Sequence, residues 1–135
     1  MLLAHENSRR NQELDYQRES LRQRLFFLPE QYYPNTLMTD EWSKTFGNEK
    51  IVVKYFGPAH TDGDIAVHFQ NANVVHLGDL LYDHIPPLID VRNGASFLSW
   101  IAALEKIRMH YDRAQEGASV SLPHVHVRRI ETSCR

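Results

Sequence analysis

Hydrophobic and polar positions change rhythm several times along this chain, and each change marks an element. From Lys50 to Phe56 apolar residues fall on both sides, Ile51, Val53 and Tyr55 on one and Val52 and Phe56 on the other, which predicts a strand covered on both faces. Gly57-Pro58 ends it. A strand then runs from Asp64 to Gln70, turns at Asn71-Ala72 and returns from Asn73 to Leu77, bounded by Gly63 and Gly78. With a two- or four-residue loop, Phe69 faces Val74, Val67 faces His76 and Asp64 faces Asp79 across the ladder. After Ser96, a good helix cap, Phe97, Trp100, Ile101, Leu104, Ile107 and Tyr111 recur every three or four residues. This is the clearest helix, its apolar stripe predicted to dock on a sheet, with Gly117 ending its extension.

The flanking parts read less sharply. Met1 to Ala4 is a strand stub, and Asn7 to Leu25, free of Pro and Gly with Leu14, Leu21 and Leu25 at helical spacing, predicts an amphipathic helix. Its arginines (Arg9, Arg10, Arg18, Arg22, Arg24) alternate with Glu13, Asp15 and Glu19, which reads as a solvated face and not as a nucleic-acid surface. Phe26, Phe27, Tyr32 and Tyr33 lie between and around Pro29 and Pro34, in a stretch where prolines limit regular structure. Thr36 to Phe46 is irregular or a strand, ending in a turn at Gly47-Asn48. Near the end, His124 and His126 would project from one face if the segment around them is a strand.

Composition adds boundaries. At 135 residues, 42% hydrophobic and 10% aromatic, the chain is at most one domain with a core of ordinary richness. A net charge of −2, from 15 basic and 17 acidic residues, gives no electrostatic reason for nucleic acid or an anionic membrane as partner. No apolar run approaches the ~18 residues of a membrane span. The single cysteine, Cys134, decides nothing about redox compartment, and localisation is left open.

The chemistry sits at the two ends of the hairpin, where His60, Asp64 and Asp79 are brought toward one another. Two carboxylates facing across a ladder repel unless they point apart or a cation, donor or shared proton lies between them. Spacing alone leaves two readings open, a metal site or ordinary polar loop chemistry beside glycine. The segments Phe56-Gly57-Pro58-Ala59-His60-Thr61-Asp62-Gly63-Asp64, Val75-His76-Leu77-Gly78-Asp79-Leu80-Leu81 and Pro86-Pro87-Leu88-Ile89-Asp90 together resemble the second half of the metallo-β-lactamase fold superfamily, over about residues 1 to 110. The resemblance implies an α/β (α+β) fold: a partial αββα metallo-β-lactamase-type sandwich, one mixed sheet with helices packed on one face. It implies a metallo-β-lactamase-like domain over 1–116 and a tail over 117–135 that departs from the family pattern.

By the same resemblance His60 and Asp79 are metal ligands. The family's principal motif, His-x-His-x-Asp-His, occurs nowhere in this chain, and the final ligand histidine has no clear counterpart. The expectation is therefore that Met1 is an internal start and that the chain is the C-terminal half of a zinc hydrolase. The parent would use one or two zinc ions to activate a bound water against a small-molecule substrate. Two ligands suit iron or manganese as well, and weak or partial binding is expected here. Secondary candidates, as further ligands or substrate-facing groups, are Asp64, His84, His124 and His126; His68 and His76, inside the hairpin, read as structural. The chain alone is expected to be inactive, and to self-associate as a homo-oligomer or pair with a complementing N-terminal half. The other reading is a non-catalytic structural or binding remnant.

Overall fold

The computed structural model describes residues 1–18, 33–82, 86–114, 119–122 and 125–126. In chain order the elements are β1 (Leu3–His5), α1 (Glu6–Arg18), β2 (Thr36–Met38), β3 (Glu41–Phe46), β4 (Glu49–Tyr55), β5 (Ile65–Phe69), β6 (Val74–His76), two 3₁₀ turns (Gly78–Leu80 and Val91–Asn93), α2 (Phe97–Ala114), β7 (Ser119–Leu122) and β8 (Val125–His126). The expected mixed α/β architecture is present, divided over two sheets: β1 and β2 pair parallel, and β3 to β8 form a mixed sheet in chain order. Within the larger sheet β3 to β6 are antiparallel neighbours, β7 adds parallel to β6, and β8 returns antiparallel beside β7. Among the described residues no helix is long and apolar enough to cross a membrane.

The hairpin register is the one the alternation predicts, with Phe69 opposite Val74 and Val67 opposite His76. The loop has four residues, and Asn73 takes the left-handed conformation at φ 54°. Glu49, at the start of β4, receives the amides of Asn71 and Ala72 at 2.7 and 3.0 Å, so the neighbouring strand caps this turn. The ladder has its last pair at Val67 and His76, short of Asp64 and Asp79. Gly78, at φ 53°, turns the chain there into the 3₁₀ turn that carries Asp79. Asp64 and Asp79 are therefore not ladder partners, a correction to the register expected for them.

Helix α2 buries Trp100, Ala103, Ile107 and Tyr111 against Phe56, Ala59, Ala66, Val75, Leu77 and Leu80. The spacing of three, four and four is the face a 3.6-residue helix presents to a sheet. That face is rotated from the expected stripe: Ala103 lies in it, and with Ala59 and Ala66 it is completely buried in the cluster, small side chains that leave room for a close approach of helix and sheet. Phe97 and Ile101 consequently fall at the flank and are exposed. Ser96 caps the helix as predicted, its hydroxyl accepting from the Ser99 amide at 3.1 Å. At the far end of the contact Lys106 Nζ donates to the Phe56 carbonyl at 3.2 Å.

Helix α1 spans Glu6–Arg18, and the remainder of the predicted helix up to Leu25 lies outside the described residues, as do Phe26, Phe27 and Tyr32. His5, buried, stacks on Tyr55 with ring centroids 3.9 Å apart and joins the small sheet to β4. His68 is a core residue, edge-on to Tyr111 at 5.3 Å, while His76 is exposed. Burial, reinforced by nearby His110, pushes the His68 pKa below its ordinary 6.5, against an opposing pull from Glu49. The unfolded chain thus takes up a proton just below pH 6.5 that the folded chain resists, so stability is whole above that pH and is lost as pH falls. Urea unfolding between pH 5 and 8 is expected to show this slope, and His68→Phe to flatten it; an unchanged slope in the variant would place its origin elsewhere.

Candidate metal centre

The loop from Gly57 to Asp64 carries the candidate site from β4 to β5, and three of its residues, His60, Asp62 and Gly63, are held by groups distant in sequence. Asp62 is the most heavily tied. Its carboxylate receives Arg10, in a short ion pair, and Asn11 Nδ2 at 2.6 Å, while its carbonyl receives Asn7 Nδ2 at 2.7 Å and the Tyr55 hydroxyl at 2.9 Å. Its amide donates to the Asn93 carbonyl at 2.8 Å. Next to it the Gly63 carbonyl accepts from the Ser8 hydroxyl at 3.1 Å. The helix lies so close that a Cβ on Gly63 would stand 2.8 Å from the Ser8 amide nitrogen, and one on Gly94, at φ 79°, 2.9 Å from the Asp62 Cβ. Glycine at both positions is thus a condition of the loop being clamped from two sides.

His60 sits in this clamp. Its carbonyl accepts from the Asp90 amide at 3.0 Å, and its Nδ1 lies 2.7 Å from the Leu88 carbonyl oxygen. A carbonyl oxygen can only accept, so Nδ1 carries a proton, and Nε2 is the ring nitrogen left to meet another group. That nitrogen faces Asp79 Oδ2 at 4.0 Å, from a mostly buried His60 side chain (16% exposed) to an open carboxylate (63%). Trp100 and Tyr82 border the imidazole, at centroid distances of 6.1 and 6.4 Å. Trp100 is itself fixed by donating its indole N–H to the Leu80 carbonyl at 2.9 Å. Burial raises the Tyr82 pKa above its ordinary value, and the carboxylates of Asp79 and Asp64 add to the effect.

Asp64 turns back into its own loop. Its two oxygens accept from the Thr61 amide at 2.7 Å and the Thr61 hydroxyl at 3.1 Å. Burial raises its pKa, opposed first by these Thr61 bonds and then by His60. Its observed role is to shape the turn that presents His60. Of the other candidates, His84 and His124 lie outside the described residues, and His126 is placed on β8 opposite Ser121. Asp90 accepts from the Asn93 amide and side chain, which closes the 3₁₀ turn beside the loop.

The residues that sequence reasoning missed are Arg10, Asn11, Asp62, Tyr82 and Trp100. Asp62 stands inside the quoted motif, but its partners on α1 are 51 and 52 positions away and nothing local announces them. Arg10, expected on a solvated face, has found an anion.

A family model described as the metallo-beta-lactamase superfamily matches residues 6–118. The chain belongs to this superfamily. Metallo-β-lactamase IND-7 superposes with a TM-score of 0.65 at 17% identity, over 96% of this chain and 51% of that one. BLEG-1 B3 metallo-β-lactamase gives 0.60 at 20% identity, over 91% and 56%. The metallo-β-lactamase from Pontibacter korlensis gives 0.55 at 20% identity, over 67% and 40%. At such identities the likeness is one of fold. The chain spans about half the length of these structures. No curated protein matches it in sequence.

Superfamily membership implies zinc, and the donors present meet that requirement in part. A tetrahedral zinc with bonds of about 2.0 to 2.2 Å holds its ligand atoms roughly 3.4 Å apart. His60 Nε2 and Asp79 Oδ2, at 4.0 Å, come near that separation, with the open Asp79 side chain free to adjust. Among the described residues, however, no group of three or more His, Cys, Asp or Glu side chains could hold an ion. The pair is an edge of a coordination sphere and not the whole of one. No reaction step follows from it alone.

Asp62→Ala removes the acceptor for Arg10 and Asn11 together, and the expected loss of stability is about 2 kcal/mol, the worth of charge-assisted bonds discounted for the exposed Arg10. Equilibrium urea denaturation checks it. An unchanged midpoint would mean that the carbonyl-side bonds hold the loop without the carboxylate.

Proposed function

We propose that the chain carries part of the metal centre of a metallo-β-lactamase-superfamily hydrolase, with His60 and Asp79 as ligands to zinc. The observation that supports this is the orientation of His60: the Leu88 carbonyl accepts from Nδ1–H, which leaves Nε2 turned toward Asp79. A histidine whose second nitrogen is tied to a backbone carbonyl is the arrangement that orients metal-binding imidazoles generally. When bound, zinc in such a site supplies a water of lowered pKa and a Lewis acid for the scissile carbonyl or phosphoryl oxygen. This chain's own residues do the positioning. Asp64 and Thr61 shape the turn, Asp62 ties it to α1, and Trp100 and Tyr82 shield one side of the imidazole.

Catalytic zinc takes three protein ligands, and this chain supplies two at matched positions, so we read the isolated chain as inactive toward the parent's small-molecule substrate. A third donor would come from a second copy of the chain or from a complementing N-terminal half. The lack of a third convergent donor among the described residues also favours a second reading, a non-catalytic remnant that keeps the fold.

Zinc content after dialysis against limiting zinc separates the two. Near-stoichiometric zinc, lost in both His60→Ala and Asp79→Ala, is the expected result. Zinc no higher in the parent chain than in the variants would overturn the proposal and leave the remnant reading.

A further inference from the structure

A cavity of about 200 Å³ opens beside the candidate centre, between α2 and the end of the 3₁₀ turn that carries Asp79 with the residues that follow it. Its wall includes Leu80, Tyr82, Pro87, Phe97, Trp100 and Ile101, and among the described residues that line it none is charged. Of its polar atoms, the Trp100 indole N–H is already spent on the Leu80 carbonyl. Tyr82 and Trp100 belong to two places at once. Their rings border the His60 imidazole and also form part of this wall, packed edge to face at 5.8 Å. A group seated in the cavity is thus separated from His60 by the thickness of an aromatic side chain.

We propose that this cavity is an apolar subsite, which takes an uncharged aryl ring or a short alkyl chain of the molecule whose polar end reaches His60 and Asp79. The substrate class is narrowed to molecules with an apolar acyl, alkyl or aryl portion beside the group that meets the metal, and this assignment rests on the hydrolase reading given above. Size limits the occupant. An apolar cavity of about 150 Å³ suffices for benzene, whereas whole drug-sized ligands need roughly 300 Å³ or more, so the space holds one portion of a ligand and not all of one. The apolar character of the described wall sets the sign of selection, since an ionised group placed against these side chains would lose its hydration with no partner among them. Phe97 and Ile101, which the small-residue contact of α2 leaves at the flank of the helix, form the outer part of the wall. Their exposure has a use in this account.

The test needs neither metal nor turnover. The probes are the uncharged n-alkanols from butanol to octanol, with hexanoate as the charged comparison, read by the indole N–H resonance of Trp100 in the full chain. Trp42, on β3, is the internal reference, since the chain has two tryptophans. The expected result is a Trp100 shift, absent at Trp42, with affinity rising about fourfold per added methylene until the cavity is filled. Hexanoate should bind about tenfold or more weakly than hexanol.

Ile101→Glu, at a wall position 42% exposed, should abolish the shift. Leu98→Glu, 79% exposed on the same helix but outside the wall, should leave it. Ile101→Trp, which fills the space without a charge, guards against a folding defect in the glutamate variant and should also abolish it. Equal binding by both glutamate variants, or no dependence on chain length, would overturn the proposal. So would sedimentation showing a dimer that Ile101→Glu breaks, because a second copy would then be the occupant. His60→Ala should lose zinc and retain hexanol binding. Hexanol binding in an unsubstituted chain that holds no more zinc than His60→Ala defeats the hydrolase reading alone, whereas zinc binding by the unsubstituted chain without a hexanol response defeats the subsite alone.

Discussion

Asp62 draws two ends of the chain together. Its carboxylate takes Arg10 and Asn11 from α1, its carbonyl takes Asn7 and Tyr55, and its amide reaches the 3₁₀ turn at Asn93. Five partners on one residue leave the loop from Gly57 to Asp64 little freedom, and His60, two residues away, inherits that restriction. The imidazole is then turned by a single further bond, from Nδ1 to the Leu88 carbonyl. Both orienting contacts come from segments remote in sequence. The side chain that could bind a metal is therefore set by the tertiary fold and not by its own turn.

Beneath this polar lock lies an apolar one. Helix α2 meets the sheet through alanines at the centre and larger side chains around them, so its distance from the sheet is short and its rotation fixed. That rotation sends Trp100 under the loop, where its indole reaches the Leu80 carbonyl and its ring borders His60. The same rotation carries Phe97 and Ile101 outward to the mouth of the cavity. Packing in the core and the character of the space beside the candidate centre are two results of one contact.

Much of this was legible in the sequence where the determinants are local. Alternation and a polar turn between two glycines are enough to set the register of Phe69 on Val74, and Ser96 followed by a three-four spacing is enough to start α2. The family showed through the motif around His60 and the Leu77-Gly78-Asp79 strand end, because those residues are contiguous. The rotation of α2 was not legible, since periodicity weights large apolar residues and Ala103 carries little weight until a facing alanine is known. Asp79 was displaced from its expected ladder position by one glycine, whose left-handed backbone ends the strand before the carboxylates can meet. The clamp on Asp62 was least legible of all: Arg10 and Asn11 look like any polar helix surface until the fold supplies the anion.

The contact between α1 and the loop has one further property, which lies in its kind. It consists of hydrogen bonds and an ion pair, and among the described residues of α1 the one that is buried is the polar Asn11, so little apolar area resists separation of the helix there. Such units open well below the free energy of global unfolding. Local opening of α1 would release the loop from Asn7, Ser8, Arg10 and Asn11 together. Asp62 would then keep only Tyr55 and Asn93 as partners, and the setting of the candidate centre would depend on a helix that carries none of its candidate ligands.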